Sequence, residues 1–220
     1  MTKFLKENKD RYKYVLLIIV LIMLKVLYLV INTLDMRKHH LMSYLDNYVP
    51  FINWMVIPYV LWYFYIWGVL LYLLIKDKKL FVTHSLAVIL GQTISLIIFL
   101  LYPTYVIRPE VVGSDIFSKL IILIYSNDNP VNAFPSIHVL QSVLTHVAIL
   151  NIKDIKKPIK IFSYVFSTMV ILSTITIKQH YVIDVIGGYL LATICAKFVY
   201  EIFYRRYKAN TLDIIFSTNE

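Results

Sequence analysis

Residues 51–75 read FINWMVIPYVLWYFYIWGVLLYLLI, twenty-five positions without a Lys, Arg, Asp or Glu. As a helix, such a stretch would be about 37 Å long, more than the ~30 Å hydrocarbon core of a bilayer. It therefore reads as a membrane span. Moving outward, Phe81 to Leu101 is also free of charge, and Tyr14 to Leu34 is broken only by Lys25. Further on, Val131 to Leu150 is interrupted by Ser136, His138 and His146. Ile161 to Ile177 follows, then Tyr181 to Tyr200 with Asp184 near its start and Lys197 near its end. The first run is too long for a signal peptide, and no small-residue cleavage site follows it, so it reads as a retained span.

The composition agrees. Of 220 residues, 59% are hydrophobic and only 16% are charged. A soluble domain is ~45–50% apolar and ~25% charged. Six spans of ~20 residues would absorb the excess. Disorder, collagen and a disulfide scaffold are excluded, and the one cysteine, Cys195, reads as a small buried side chain. The predicted fold is all-α, a six-transmembrane-helix bundle forming one membrane-embedded domain over 1–220.

A net charge of +9 suggests either nucleic acid or a membrane surface. The distribution decides. The N-terminus, the 76–80 loop, the 151–160 loop and the tail from 201 hold fifteen of the twenty-two Lys and Arg residues. The opposite side holds five: Arg37, Lys38, Arg108, Lys119 and Lys178. The positive-inside rule then places both termini, 1–13 and 205–220, in the cytoplasm. The partner is the bilayer, not nucleic acid. In the outer loop 102–130, the third connection of the chain, Ser114 to Ser126 is apolar but too short to span. It reads as an interfacial helix, either packed on the bundle or acting as a lid.

Ionisable groups in or beside spans are costly, so each warrants a functional hypothesis. Arg108, His138, His180 and Asp184 fall on the outer side by this topology. His180 and Asp184 lie four apart, one helical turn if the last helix has begun there. The carboxylate can then fix the imidazole tautomer and leave the other nitrogen as base or nucleophile. Pro135 favours a helix start, whose free N–H groups, with Ser136 and His138 at the mouth, suit a phosphate. Lys25, mid-span, should face the bundle or a wet cavity. His84 and His146 read as core polar residues. His39 and His40 lack further ligands at metal spacing, so no metal and no cofactor is expected.

These residues carry a resemblance. Asn132 to His138, NAFPSIH, resembles the P-S-G-H motif of the type 2 phosphatidic acid phosphatase superfamily. Ser173 to Asp184, STITIKQHYVID, resembles its S-R-x5-H-x3-D motif, and Arg108-Pro109 the end of K-x6-R-P. The resemblance implies that His180 attacks phosphorus to give a phosphohistidine, that Asp184 orients it, and that His138 is the acid and base. It implies that Arg108, Ser136 and the helix terminus hold phosphoryl oxygens. Three positions depart from the pattern: Leu101 for lysine, Thr174 for arginine and Ile137 for glycine. Two fixed cations are thus missing. A phosphodiester, with one charge, fits this better than a monoester, unless Lys178 supplies the missing charge. The H-Y-x-x-D core of His180, Tyr181 and Asp184 is similar to the inositol phosphorylceramide synthase-like branch. The function so implied is lipid phosphatase or phosphotransferase chemistry on a membrane lipid substrate, at the extracytoplasmic face of what is expected to be a bacterial plasma membrane. A polyprenyl pyrophosphate phosphatase, a phospholipid-dependent acyl transferase and a catalytically silent lipid binder remain as alternatives.

Overall fold

A computed structural model describes residues 2–205, with the side chains of 12–202. The tail at 206–220 and Met1, expected to be cytoplasmic, lie outside the described residues. Seven α-helices make up the described chain: α1 (Thr2–Asn32), α2 (Val56–Lys76), α3 (Lys78–Leu101), α4 (Ile116–Asn127), α5 (Ile137–Leu150), α6 (Lys157–Thr176) and α7 (Val182–Val199). A π-helical turn extends α7 over Tyr200–Arg205. The only described strands, β1 (His39–His40) and β2 (Thr104–Tyr105), pair in parallel.

Five of these helices are long and apolar enough to cross a membrane. They match the expected spans except for the fourth. There the apolar run from Val131 yields only a 14-residue helix, α5. Its first six residues are spent on a loop that docks elsewhere. Thr104 Oγ1 accepts the N–H groups of Ala133 and Phe134 at 3.0 and 2.9 Å, and Asn132 adopts φ 58°. The helix starts at Ile137, two residues after Pro135, with Ser136 as its cap.

Polar residues in the short connections set the helix ends. Asp77 alone joins α2 to α3, and its carboxylate accepts the Leu80 N–H at 2.9 Å, satisfying an orphan donor of the first turn. Pro158 sits in the first turn of α6, where no intrahelical N–H is lost. After α6, the Thr174 carbonyl accepts both Gln179 N–H and His180 N–H, at 2.9 and 3.0 Å, and closes a tight turn.

α5 sits at the centre, packed by α2, α3, α6 and α7. Leu140, Leu144 and Ala148 from α5 join Leu80, Phe81 and Ala87 of α3 and Ala192 and Cys195 of α7 in the main core. α1 packs on α3 and has few direct contacts with α2. Only 11% of its most apolar window is buried, against 50% for α3, so α1 is the peripheral helix. α4 lays Phe117, Leu120 and Ile121 on the second cluster around Met55, Val56 and Tyr59. Its other face exposes Ile116, Ile122 and Leu123. Of the two expectations for this segment, packing on the bundle is the one observed.

Candidate functional site

The first turns of α5 and α7 meet at one end of the bundle. Ser136 N–H donates to the Asp184 carbonyl at 3.0 Å. A side chain at Gly188 would bring its Cβ to 2.5 Å from the Ser136 carbonyl oxygen, so only glycine permits this approach. Ser136 itself is fully buried and caps α5 by accepting the Val139 N–H. The hydroxyl read as a phosphate contact thus also holds the helix start, and accepting the Val139 N–H leaves it its own proton to donate.

His180 precedes α7 rather than lying on it. Tyr181 is the N-cap and Asp184 the third helical residue. Asp184 Oδ2 accepts the Tyr181 N–H at 2.8 Å and stands 3.6 Å from His180 Nδ1. The two groups are neighbours, beyond hydrogen-bond length, and a capping turn rather than an i,i+4 helical face sets their distance. Asp184 is fully buried, while the His180 side chain is 10% exposed. Nε2 of His180 is left as the ring nitrogen not engaged by the carboxylate.

Two further contacts fix this turn. Tyr181 Oη accepts the Ile107 N–H at 2.9 Å and hydrogen-bonds His40 Nε2 at 2.8 Å. Asp46, buried in the first long loop, accepts Val182 N–H at 2.8 Å through one oxygen. Its other oxygen takes Ser43 N–H and Ser43 Oγ–H, both at 2.7 Å. Sequence reading passed over Asp46, because its partner lies 136 positions away.

The His138 and His180 rings stand 5.7 Å apart, centroid to centroid, at 64°. His138 is clamped between Tyr59, stacked at 4.5 Å, and Trp62 at 4.2 Å. Its buried Nε2 has no hydrogen-bond partner among the described residues. Arg108 approaches from the 102–115 loop. Nη1 donates to the Asp128 carbonyl at 2.7 Å, Nη2 to Gln179 Oε1, and the guanidinium lies 4.5 Å over the Tyr125 ring. Burial pushes the Arg108 pKa down while the Asp128 charge pulls it back. A guanidinium is basic enough to stay a cation regardless.

His138, His180 and Arg108 line one cavity of about 310 Å³. Its wall continues over Trp62, Trp67, Leu21, Leu70 and Val88, so a polar mouth leads into an apolar interior. Lys25 also lines it, between Tyr28 and Tyr63. Lys178 does not. Its ammonium donates to the backbone carbonyls of Val49 at 2.5 Å and Asp46 at 3.5 Å, which turns it toward the first long loop. Burial lowers its pKa, and Asp46 acts against that.

The departures from the motif have structural counterparts. Leu101 is 79% exposed. Thr174 is buried, with its hydroxyl donating to Ile171 O at 2.7 Å. Ile137 packs against the cluster of Ile31, Leu96 and Phe99. Among the described residues, no group of three His, Cys, Asp or Glu side chains is placed to hold a metal.

The arrangement provides an imidazole with a buried carboxylate behind it, a second imidazole across a gap, and a guanidinium lining the same cavity. That set suits in-line displacement at an anionic centre. Residues 33–198, about three quarters of the chain, match the family model described as PAP2 superfamily. No curated protein and no solved structure matches the chain.

Proposed function

Since the chain belongs to the PAP2 superfamily, we propose that it is an integral membrane lipid phosphatase or phosphotransferase working through a phosphohistidine. The observation that carries this reading is the pair of imidazoles 5.7 Å apart in one cavity, with a carboxylate behind one ring and an arginine lining the same cavity. His180 Nε2 attacks phosphorus, and the bond from phosphorus to the leaving oxygen breaks. Protonated His138 gives that oxygen its proton. In the second half, His138 takes a proton from water or an acceptor alcohol. The oxygen attacks phosphorus, the P–N bond breaks and His180 is regenerated. Asp184 stabilises the positive ring. Arg108 and the N–H groups opening α5 hold the phosphoryl oxygens.

The apolar inner wall supports a lipid substrate. A mouth with few cations supports a singly charged phosphodiester, and with it headgroup transfer of the inositol phosphorylceramide synthase-like kind. We place the site on the extracytoplasmic side of six crossings, with α5 as the short, shielded one. The loop charges support that orientation.

The test is turnover of phosphatidate, then of a phosphodiester lipid with an acceptor alcohol, by purified protein. His180→Ala should lose activity at least ~10³-fold, and a phosphoryl group trapped on wild-type His180 should be absent from the variant. Unchanged activity in that variant would refute the nucleophile assignment.

A further inference from the structure

Two cations of the motif pattern are replaced by Leu101 and Thr174, and neither position offers a substitute. Leu101 is 79% exposed, and Thr174 is buried with its hydroxyl spent on Ile171 O. The candidate left in loop 178–180, Lys178, is held by two backbone carbonyls outside the cavity. A cation does reach the cavity from elsewhere. Lys25 comes from α1, ahead of the 33–198 stretch that matches the family. It lies seven residues before the end of the helix, about 10 Å down its axis.

Its surroundings are unusual for a lysine in a span. The ammonium stands 5.0 Å from the Tyr28 ring centroid and 5.3 Å from that of Tyr63. Among the described residues, no carboxylate lies within ion-pair distance of it. Asp128 attracts it from further off, but that carboxylate is bonded by Tyr28 Oη at 2.8 Å. An ammonium in hydrocarbon is retained where it has an anionic partner or a function. Two aromatic faces hold the side chain in direction without neutralising it.

We propose that Lys25 is a phosphoryl-binding residue, contacting the substrate's anionic oxygens from the α1 side and opposite Arg108. This rests on the phosphoryl chemistry proposed for the same cavity. The seat is thus completed by the peripheral helix. Sequence motifs confined to the matched region do not reveal it.

The experiment uses the full chain in detergent, with orthovanadate as a mimic of the pentacoordinate phosphoryl group. Binding is followed by the fluorescence of Trp62 and Trp67, which line the cavity. Lys25→Met should weaken orthovanadate binding at least ~10-fold, and Lys25→Arg by no more than about threefold. Arg108→Met serves as the reference. Weakening in Arg108→Met with none in Lys25→Met overturns the role of Lys25 and leaves the phosphoryl reading intact. Binding unchanged in both variants overturns the phosphoryl reading itself. A measurement on the unaltered protein guards against a misfolded variant. Orthovanadate should slow reductive methylation of Lys25, read by mass spectrometry, and no protection overturns the proposal.

Discussion

The two walls of the cavity are built differently. The wall made by α5, α7 and their preceding loops is pinned to other chain segments at several backbone positions. Thr104 and Ile107 of one loop and Asp46 of another bind the residues at the two helix starts, and the Ser136 N–H ties those starts to each other. The wall made by α1 and α2 has few contacts between its helices and is lined with Tyr28, Tyr63, Trp62 and Trp67. The first wall holds the histidines and the carboxylate. The second holds Lys25 and the long apolar surface. Reacting atoms need fixed geometry, because a small misplacement costs rate steeply. A long apolar substrate needs room to enter and leave. Under the proposed function, the division separates chemistry from reception.

Altering the pinned wall at its closest approach should hurt most. Gly188→Ala sets a methyl 2.5 Å from the Ser136 carbonyl and must push the start of α5, with His138, off its position. We expect kcat to fall about 10–100-fold with KM little changed, measured by steady-state turnover. A fall in KM affinity alone would instead place the substrate, and not the acid, on this wall.

Asp46→Ala is expected to act next. It leaves the Val182 N–H and the Ser43 groups without their acceptor, at a cost of about 2 kcal/mol. A lowered melting temperature in detergent, together with a smaller loss of kcat than in Gly188→Ala, is the anticipated result. Full activity and stability would mean that the first loop does not position α7.

The smallest effect belongs to Lys178→Ala. The residue lies on the pinned side but its ammonium is turned outward to Val49 O. kcat and KM should stay within about twofold, as for surface substitutions generally. A large rise in KM would return Lys178 to the phosphate seat and shrink the contrast between the walls.

Much of this was legible in the sequence. Helix positions followed from runs of 17 to 25 apolar residues, since hydrocarbon accepts only chain segments that satisfy their own backbone. His138, His180, Asp184 and Arg108 were nameable from spacing and resemblance, and the structure brings the two histidines and Arg108 to one cavity, with Asp184 buried behind His180. Asp46 was not nameable, as nothing local marks a carboxylate that caps a helix far along the chain. Lys25 was visible as an oddity, but α1 carries no motif to say which way it faces.

The sequence by itself determined the apolar helical class, because that depends on local composition, and its motif resemblance pointed to the chemical kind of the site. Only the tertiary structure decided which cations share a cavity with the histidines. It turned Lys178 away and brought Lys25 in. That choice depends on how helices distant in sequence pack, and on which side chains find backbone carbonyls instead of the cavity. The His180–Asp184 pair shows the same point at short range. Spacing foretold the partnership, yet a capping turn, held by contacts from Ile107 and Asp46, sets its geometry.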